Sequence, residues 1–157
     1  MRVAEAITVS APTEQVWATV SDPECALEFM SGVTRWEVVS PNPTGLGARY
    51  RVLFRIGSAE IGGLIEVVEW APPYDLAWTS VTGLDQRGRW RLRDSGRGGT
   101  RVEGRLAYGV AGSGLTGWLA ERIAAPAVSG HLRRSLRQLK RVVEYEELRE
   151  RAASRGP

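Results

Sequence analysis

Few residues of this chain are suited to chemistry, and their spacing limits what they could do. His131 is the sole histidine, and the sole side chain whose ordinary pKa, about 6.5, makes it a general base near neutrality. Ser135 follows one helical turn later, so the two residues can meet. On a helical wheel His131 lies about 100° from Leu132, at the edge of an apolar stripe rather than within it. A direct chemical role and a plain boundary position both fit this placement, and the second fits it better. Tyr50 and Tyr108 sit on separate predicted strands and are further weak candidates for proton transfer. Cys25 has no base near it in sequence and is expected to pack as a small hydrophobe. Glu66 or Glu69 could point inward, but their strand is apolar on both registers, so its facing stays open. One Cys and one His cannot build a zinc site of the usual types, and no GxSxG elbow, HExxH helix or phosphate loop is present. Neither a metal nor a cofactor is expected.

Gly112-Ser113-Gly114-Leu115-Thr116-Gly117 spells GxGxxG between a predicted strand and a predicted helix. A dinucleotide site also needs a following parallel strand and an acid about 20 residues on. Leu136, Arg137 and Gln138 stand there instead. The glycines are better read as a hinge beside a cavity mouth.

The elements that must position these groups follow from periodicity. Residues 1–10 alternate as a strand. Pro12 suits a first helical position, with Glu14 at the positive end of the helix. Asp22-Pro23 repeats the device, Asp22 as N-cap, for a short helix to about Met30. Six strands are then predicted between 33 and 108, over about 33–40, 48–56, 60–70, 75–81, 87–93 and 100–108. In the third strand of the chain Tyr50, Val52, Phe54 and Ile56 share one face, and Arg49, Arg51 and Arg55 the other. Gly62-Gly63 predicts a bulge or sharp bend. From Thr116 the apolar spacing is helical for about thirty residues, with Val128, Leu132, Leu136, Leu139 and Val143 on one stripe. Residues 1–148 are expected to form one domain, and 149–157 a frayed tail. An antiparallel sheet followed by one long amphipathic helix is an α+β layer architecture.

Six Trp residues make the chain rich in aromatics. Trp36, Tyr50, Phe54, Trp78, Trp90, Tyr108 and Trp118 come from different strands and the start of the last helix. A sheet that grips one helix has more concave area than the helix covers. Part of this set, with Leu92, Leu106, Val128 and Leu132, is therefore expected to line a ligand cavity, and the rest to pack as core.

The formal net charge is only +3, and most arginines alternate with apolar residues along strands, as on the solvated face of a sheet. Nucleic acid is not an expected partner. Arg133, Arg134, Arg137, Lys140 and Arg141 form one denser basic face, with no acid among residues 131–141. It reads as a solvated helix surface or as a weak anionic-surface contact. No stretch approaches the ~20 apolar residues of a membrane span, no secretory signal is visible, and the lone Cys25 suits a reducing cytoplasm.

The stretch Ile7-Thr8-Val9-Ser10-Ala11-Pro12-Thr13-Glu14-Gln15-Val16-Trp17, followed by Ser21-Asp22-Pro23, resembles the opening of the START-like polyketide cyclase/dehydrase superfamily (SRPBCC). Gly47-Ala48-Arg49-Tyr50, Glu69-Trp70-Ala71-Pro72-Pro73 and Gly99-Thr100-Arg101-Val102 continue the resemblance, which spans residues 3 to about 147. It implies the helix-grip fold, a seven-stranded antiparallel sheet wrapped around the C-terminal helix, with a hydrophobic molecule held between them. Some members cyclise and aromatise polyketides; others carry lipids, sterols, quinones or plant hormones. Family cyclases commonly place Arg, His and Tyr inside, whereas this chain offers mainly Tyr50, Tyr108 and indoles. The expected function is binding of a hydrophobic or aromatic small molecule, with cyclase or dehydrase activity as the alternative.

Overall fold

The computed structural model describes residues 1–109 and 115–156, with 115–124 as backbone. The chain runs β1 (Arg2–Val9), α1 (Thr13–Val20), α2 (Ala26–Phe29), β2 (Val33–Val38) and β3 (Arg49–Ile56), then β4 (Ala59–Ala71), β5 (Asp75–Gly83), β6 (Gln86–Gly96), β7 (Gly99–Tyr108) and α3 (Leu115–Ser154). The seven strands form one antiparallel sheet in the order β1-β7-β6-β5-β4-β3-β2. It is a curled half-barrel closed over by α3, the helix-grip arrangement. Only β1 is displaced from chain order, so α1 and α2 cross from one edge strand to the other beneath α3.

Leu136, Leu139 and Val143 are almost wholly buried, each removing apolar surface worth roughly 1.5–3 kcal/mol. They lie in one core with Val9, Val16 and Phe29, from β1, α1 and α2. The polar side chains of the same helix reach β1: Arg133 and Ser129 both donate to Glu5, at 2.8 and 2.9 Å, and Lys140 donates to the Thr8 carbonyl at 3.0 Å.

Three local expectations are corrected. Pro12 is the N-cap and not the first helical residue: its backbone is extended (φ −61°, ψ 152°) while its carbonyl accepts from Gln15 and Val16. Asp22-Pro23 does not open α2. Asp22 Oδ1 accepts the Glu24 N–H at 2.9 Å and its carbonyl accepts from Cys25, closing a turn ahead of a helix that begins at Ala26. The side chain competes with the helix for the same backbone donors. Finally, α3 continues through Ser154, where fraying is expected, with an Arg151–Glu147 pair one turn apart supporting its end. Of the glycine hinge, Gly112 and Gly114 lie outside the described residues.

The curl has a sequence cause. A β-carbon on Gly62 would overlap the Val52 carbonyl, and one on Gly63 the Thr82 carbonyl, so the predicted bend is a place where backbones approach too closely for any side chain. The register between β4 and β5 slips one residue later, between Leu64 and Ile65, and again between Val67 and Glu69. Inside the curl, Trp78 lies flat across Gly88 on the neighbouring strand, and Trp90 lies over Gly104, with Cζ3 2.6 Å from the place a β-carbon would take.

Gly88→Ala would set a methyl against the six-membered ring of Trp78. The substitution should lower stability by about 1–3 kcal/mol, as overpacking does. The check is a denaturant midpoint; no change would mean that Trp78 has free space to move into.

Candidate functional site

Between the concave face of the sheet and α3 lies a cavity of about 440 Å³. Its walls come from every layer. Val52 and Phe54 on β3 and Ile61 and Ile65 on β4 form one side. Trp78, Leu106 and Tyr108 form the other. Trp36 on β2, Met30 after α2 and Val128 on α3 complete it. No described lining residue carries a charge, and Gln86, paired across the strands with Tyr108, adds one amide to the wall. A separate small pocket of about 40 Å³ shares Phe54, Leu106 and Val128 with the cavity and is lined further by Trp90, His131, Leu132, Arg89 and Arg105. A broader hollow of about 850 Å³ follows the outer sheet surface past Arg2, Arg87 and Arg105. It is open and mixed in polarity, and lacks the apolar enclosure that holds a small ligand.

Of the expected lining residues, the structure brings Trp36, Phe54, Trp78, Leu106, Tyr108 and Val128 together on the cavity. Leu132 and Trp90 line the small pocket, and Trp90 also borders a further one of about 20 Å³ beside Ser21, Asp22 and Tyr50. Tyr50 does not line the cavity: its ring packs against Trp36 at 5.3 Å and its hydroxyl donates to the Pro43 carbonyl at 2.6 Å. Leu92 lies further along β6, where α1 covers the sheet, and is wholly buried core. The side chain of Trp118 lies outside the described residues. Met30, Val33 and Gln86 went unrecognised in sequence; for Gln86 the signal was available, since it shares the face of Trp90 and Leu92.

The charges stay outside by pairing there. Arg49 bonds Glu66 at 3.0 Å, and Arg89 pairs with Glu69, so neither Glu66 nor Glu69 faces inward. The reason is the bulged Val68: the extra residue re-aims Glu69 outward and lets Trp70 meet Trp17 at 5.1 Å. Asp75 is raised by burial, but hydrogen bonds from Arg93 and Arg91 outweigh this and hold its carboxyl below the usual range.

The residues suited to chemistry are likewise occupied. Ser135 touches His131, but through the backbone: its hydroxyl donates to the His131 carbonyl at 2.8 Å and accepts the Ser31 N–H at 2.8 Å. The imidazole meets other partners. Its Nδ1 lies 3.0 Å from Ser31 Oγ and accepts from Arg134 Nη2 at 3.0 Å, since a guanidinium can only donate. The ring also stands edge-on to Phe54 at 5.2 Å. Burial, then the Arg134 charge, lowers its pKa. Burial and the charge of Asp22 push the Tyr50 phenol up to about 12. Burial, then Asp22, pushes the Cys25 thiol up to about 11, with Sγ 3.6 Å from Asp22. Neither is poised to ionise near neutrality. Among the described residues no group of His, Cys, Asp and Glu could hold a metal ion.

A depressed histidine pKa destabilises the fold as pH falls, because the unfolded chain takes up the proton first. Stability should therefore decline as pH drops from about 6.5 toward the lower folded value. His131→Asn keeps an acceptor for Arg134 and removes the titration. The measurement is the unfolding free energy between pH 7.5 and 5; the same slope in both proteins would assign it to other groups.

A family model for polyketide cyclase/dehydrase and lipid transport matches residues 1–144. The fold is shared with TTHA0849 from Thermus thermophilus, at 23% identity over 91% of this chain and 97% of that one, with a TM-score of 0.80. It is shared too with the Zhui aromatase/cyclase of Streptomyces sp. R1128, at 17% identity over 92% and 93%, with a TM-score of 0.75. The BexL di-domain aromatase/cyclase matches at 19% identity over 92% of this chain and 50% of that one, with a TM-score of 0.68. No curated protein matches the sequence.

Proposed function

The chain belongs to the polyketide cyclase/dehydrase and lipid transport family, and on that premise we propose that it binds a hydrophobic or aromatic small molecule between the sheet and α3. A lipid, a quinone or a polyketide-like metabolite all fit the chemistry of the wall. The observation that carries the reading is the 440 Å³ cavity itself, enclosed by apolar and aromatic side chains, with no charge among its described lining residues. A pocket of that size and character holds most of a small apolar ligand's surface away from water. Desolvation supplies the binding energy, at about 25 cal/mol for each Å² of apolar surface removed from water.

One observation favours a cyclase or dehydrase as the second reading. His131 and Ser31 line a small pocket that shares Phe54 and Leu106 with the cavity wall. Orientation inside a dry pocket can itself lower a cyclisation barrier. Binding to an anionic surface through α3 is less supported, because Arg133, Arg134 and Lys140 are engaged by Glu5, His131 and Thr8.

N-phenyl-1-naphthylamine, an uncharged probe that fluoresces in apolar surroundings, should bind the purified protein. Leu106→Asp, which puts a carboxylate on the cavity wall, should weaken binding at least tenfold in a variant that is still folded by circular dichroism. Undiminished binding would place the site elsewhere. Native mass spectrometry of the wild-type protein is expected to show a co-purifying apolar molecule. Turnover of a polyketide analogue that is lost in His131→Ala while probe binding survives would establish the second reading.

A further inference from the structure

One polar side chain breaks the apolar pattern of the cavity wall. The positions of β6 that face the concave side are Gln86, Gly88, Trp90 and Leu92, where alternation calls for an apolar residue each time. Asp85 and Arg87, on either side of Gln86, border the outer hollow, whereas Gln86 itself borders the cavity. Its side chain is half-buried, and its amide makes no hydrogen bond among the described residues. The Ser80 hydroxyl is engaged elsewhere: it accepts the Gln86 backbone N–H at 3.2 Å and donates to Asp85 Oδ1 at 3.5 Å. The Trp36 nitrogen, by contrast, is shut away from any contact of water size. An amide set among apolar groups costs free energy unless something pairs with it, and such breaks of pattern concentrate at functional sites.

Resting on the cavity reading above, we propose that Gln86 sets the ligand class, by holding the single neutral hydroxyl or carbonyl of an otherwise apolar molecule. A primary amide offers two N–H donors and one acceptor oxygen, so it serves either group. It does not serve an ion. No described residue of the wall carries a charge to pair with a carboxylate or an ammonium, and a buried ion needs such a partner. The amide also works from a fixed base, because the Gln86 backbone is held between Tyr108 on β7 and the Ser80 hydroxyl. A neutral hydrogen bond formed in place of one to water changes affinity by about tenfold.

2-Naphthol and naphthalene test this, since they share one ring skeleton, differ by a hydroxyl and are both uncharged at neutral pH. Gln86→Leu, which keeps the size of the side chain and removes the amide, should lower the ratio of naphthol to naphthalene affinity about tenfold. Naphthalene should bind the variant at least as well as the wild-type protein, and that binding also reports that the cavity has formed. A second measurement needs no variant: in the wild-type complex, nuclear Overhauser contacts should join the Gln86 side-chain amide protons to the two ring protons that flank the oxygen of 2-naphthol. A ratio unchanged in Gln86→Leu, amide contacts confined to the far ring, or naphthalene binding without naphthol binding would each overturn this inference while leaving the cavity reading intact. Failure of both compounds to bind the wild-type protein would overturn the two together.

Discussion

The molecule depends on where α3 is held. Its apolar stripe, Leu136, Leu139 and Val143, is buried against the β1 end of the sheet with α1 and α2, and a polar seam from Glu5 through Thr8 to Ser10 fixes its position along β1. The two contributions differ in kind. Exposed ion pairs such as Arg133–Glu5 are worth about 0–1 kcal/mol, well below the burial of three aliphatic side chains. Burial holds the helix on, and the seam sets its register. Because the anchor lies at one end, α3 covers little of the concave face of β3 to β6, and α1 covers only one end of β6. Side chains must close that space, and they close it incompletely.

The cavity then depends on how the sheet is bent. Trp78 and Trp90 are too large to stand upright in a tight curl, so each lies down across a glycine of the next strand. Laid flat, an indole presents its face to the interior and covers much area without filling the centre. This device accounts for the coexistence of a rich aromatic content with an empty middle. The arginines on the other face answer the same geometry. On the outer, convex surface strands splay, and long side chains find room there to pair with Glu66, Glu69 and Asp75.

Much of this was legible in the residues. Strict alternation in β3 fixed which face held Val52 and Phe54, and the helical stripe identified the buried positions of α3. What was not legible depended on a broken period or a distant partner. β4 is apolar on both registers because Val68 interrupts its alternation, so no reading in steps of two could face Glu69 correctly. The partners of His131 were hidden for the other reason: Ser31 stands 100 residues away and reaches the ring only because the end of α2 packs on α3. Leu92 had the right face and the wrong height on its strand. Position along a strand is set by where α1 lands, a tertiary fact.

The state of His131 bears on what chemistry the cavity could support. With Nδ1 accepting from Arg134, a neutral ring must carry its proton on Nε2. Burial and the neighbouring guanidinium both resist a second proton. An imidazole in that state has its only lone pair occupied, and toward a ligand it can donate but not abstract. A general base is therefore the role this geometry serves worst. Donation to a ketone oxygen is the role it serves best, and it would polarise the carbonyl without moving a proton first. Donation of this kind would serve holding an oxygenated ligand and activating one alike, so the two roles would differ in whether a ligand carbon is acidic enough to react once its carbonyl is held.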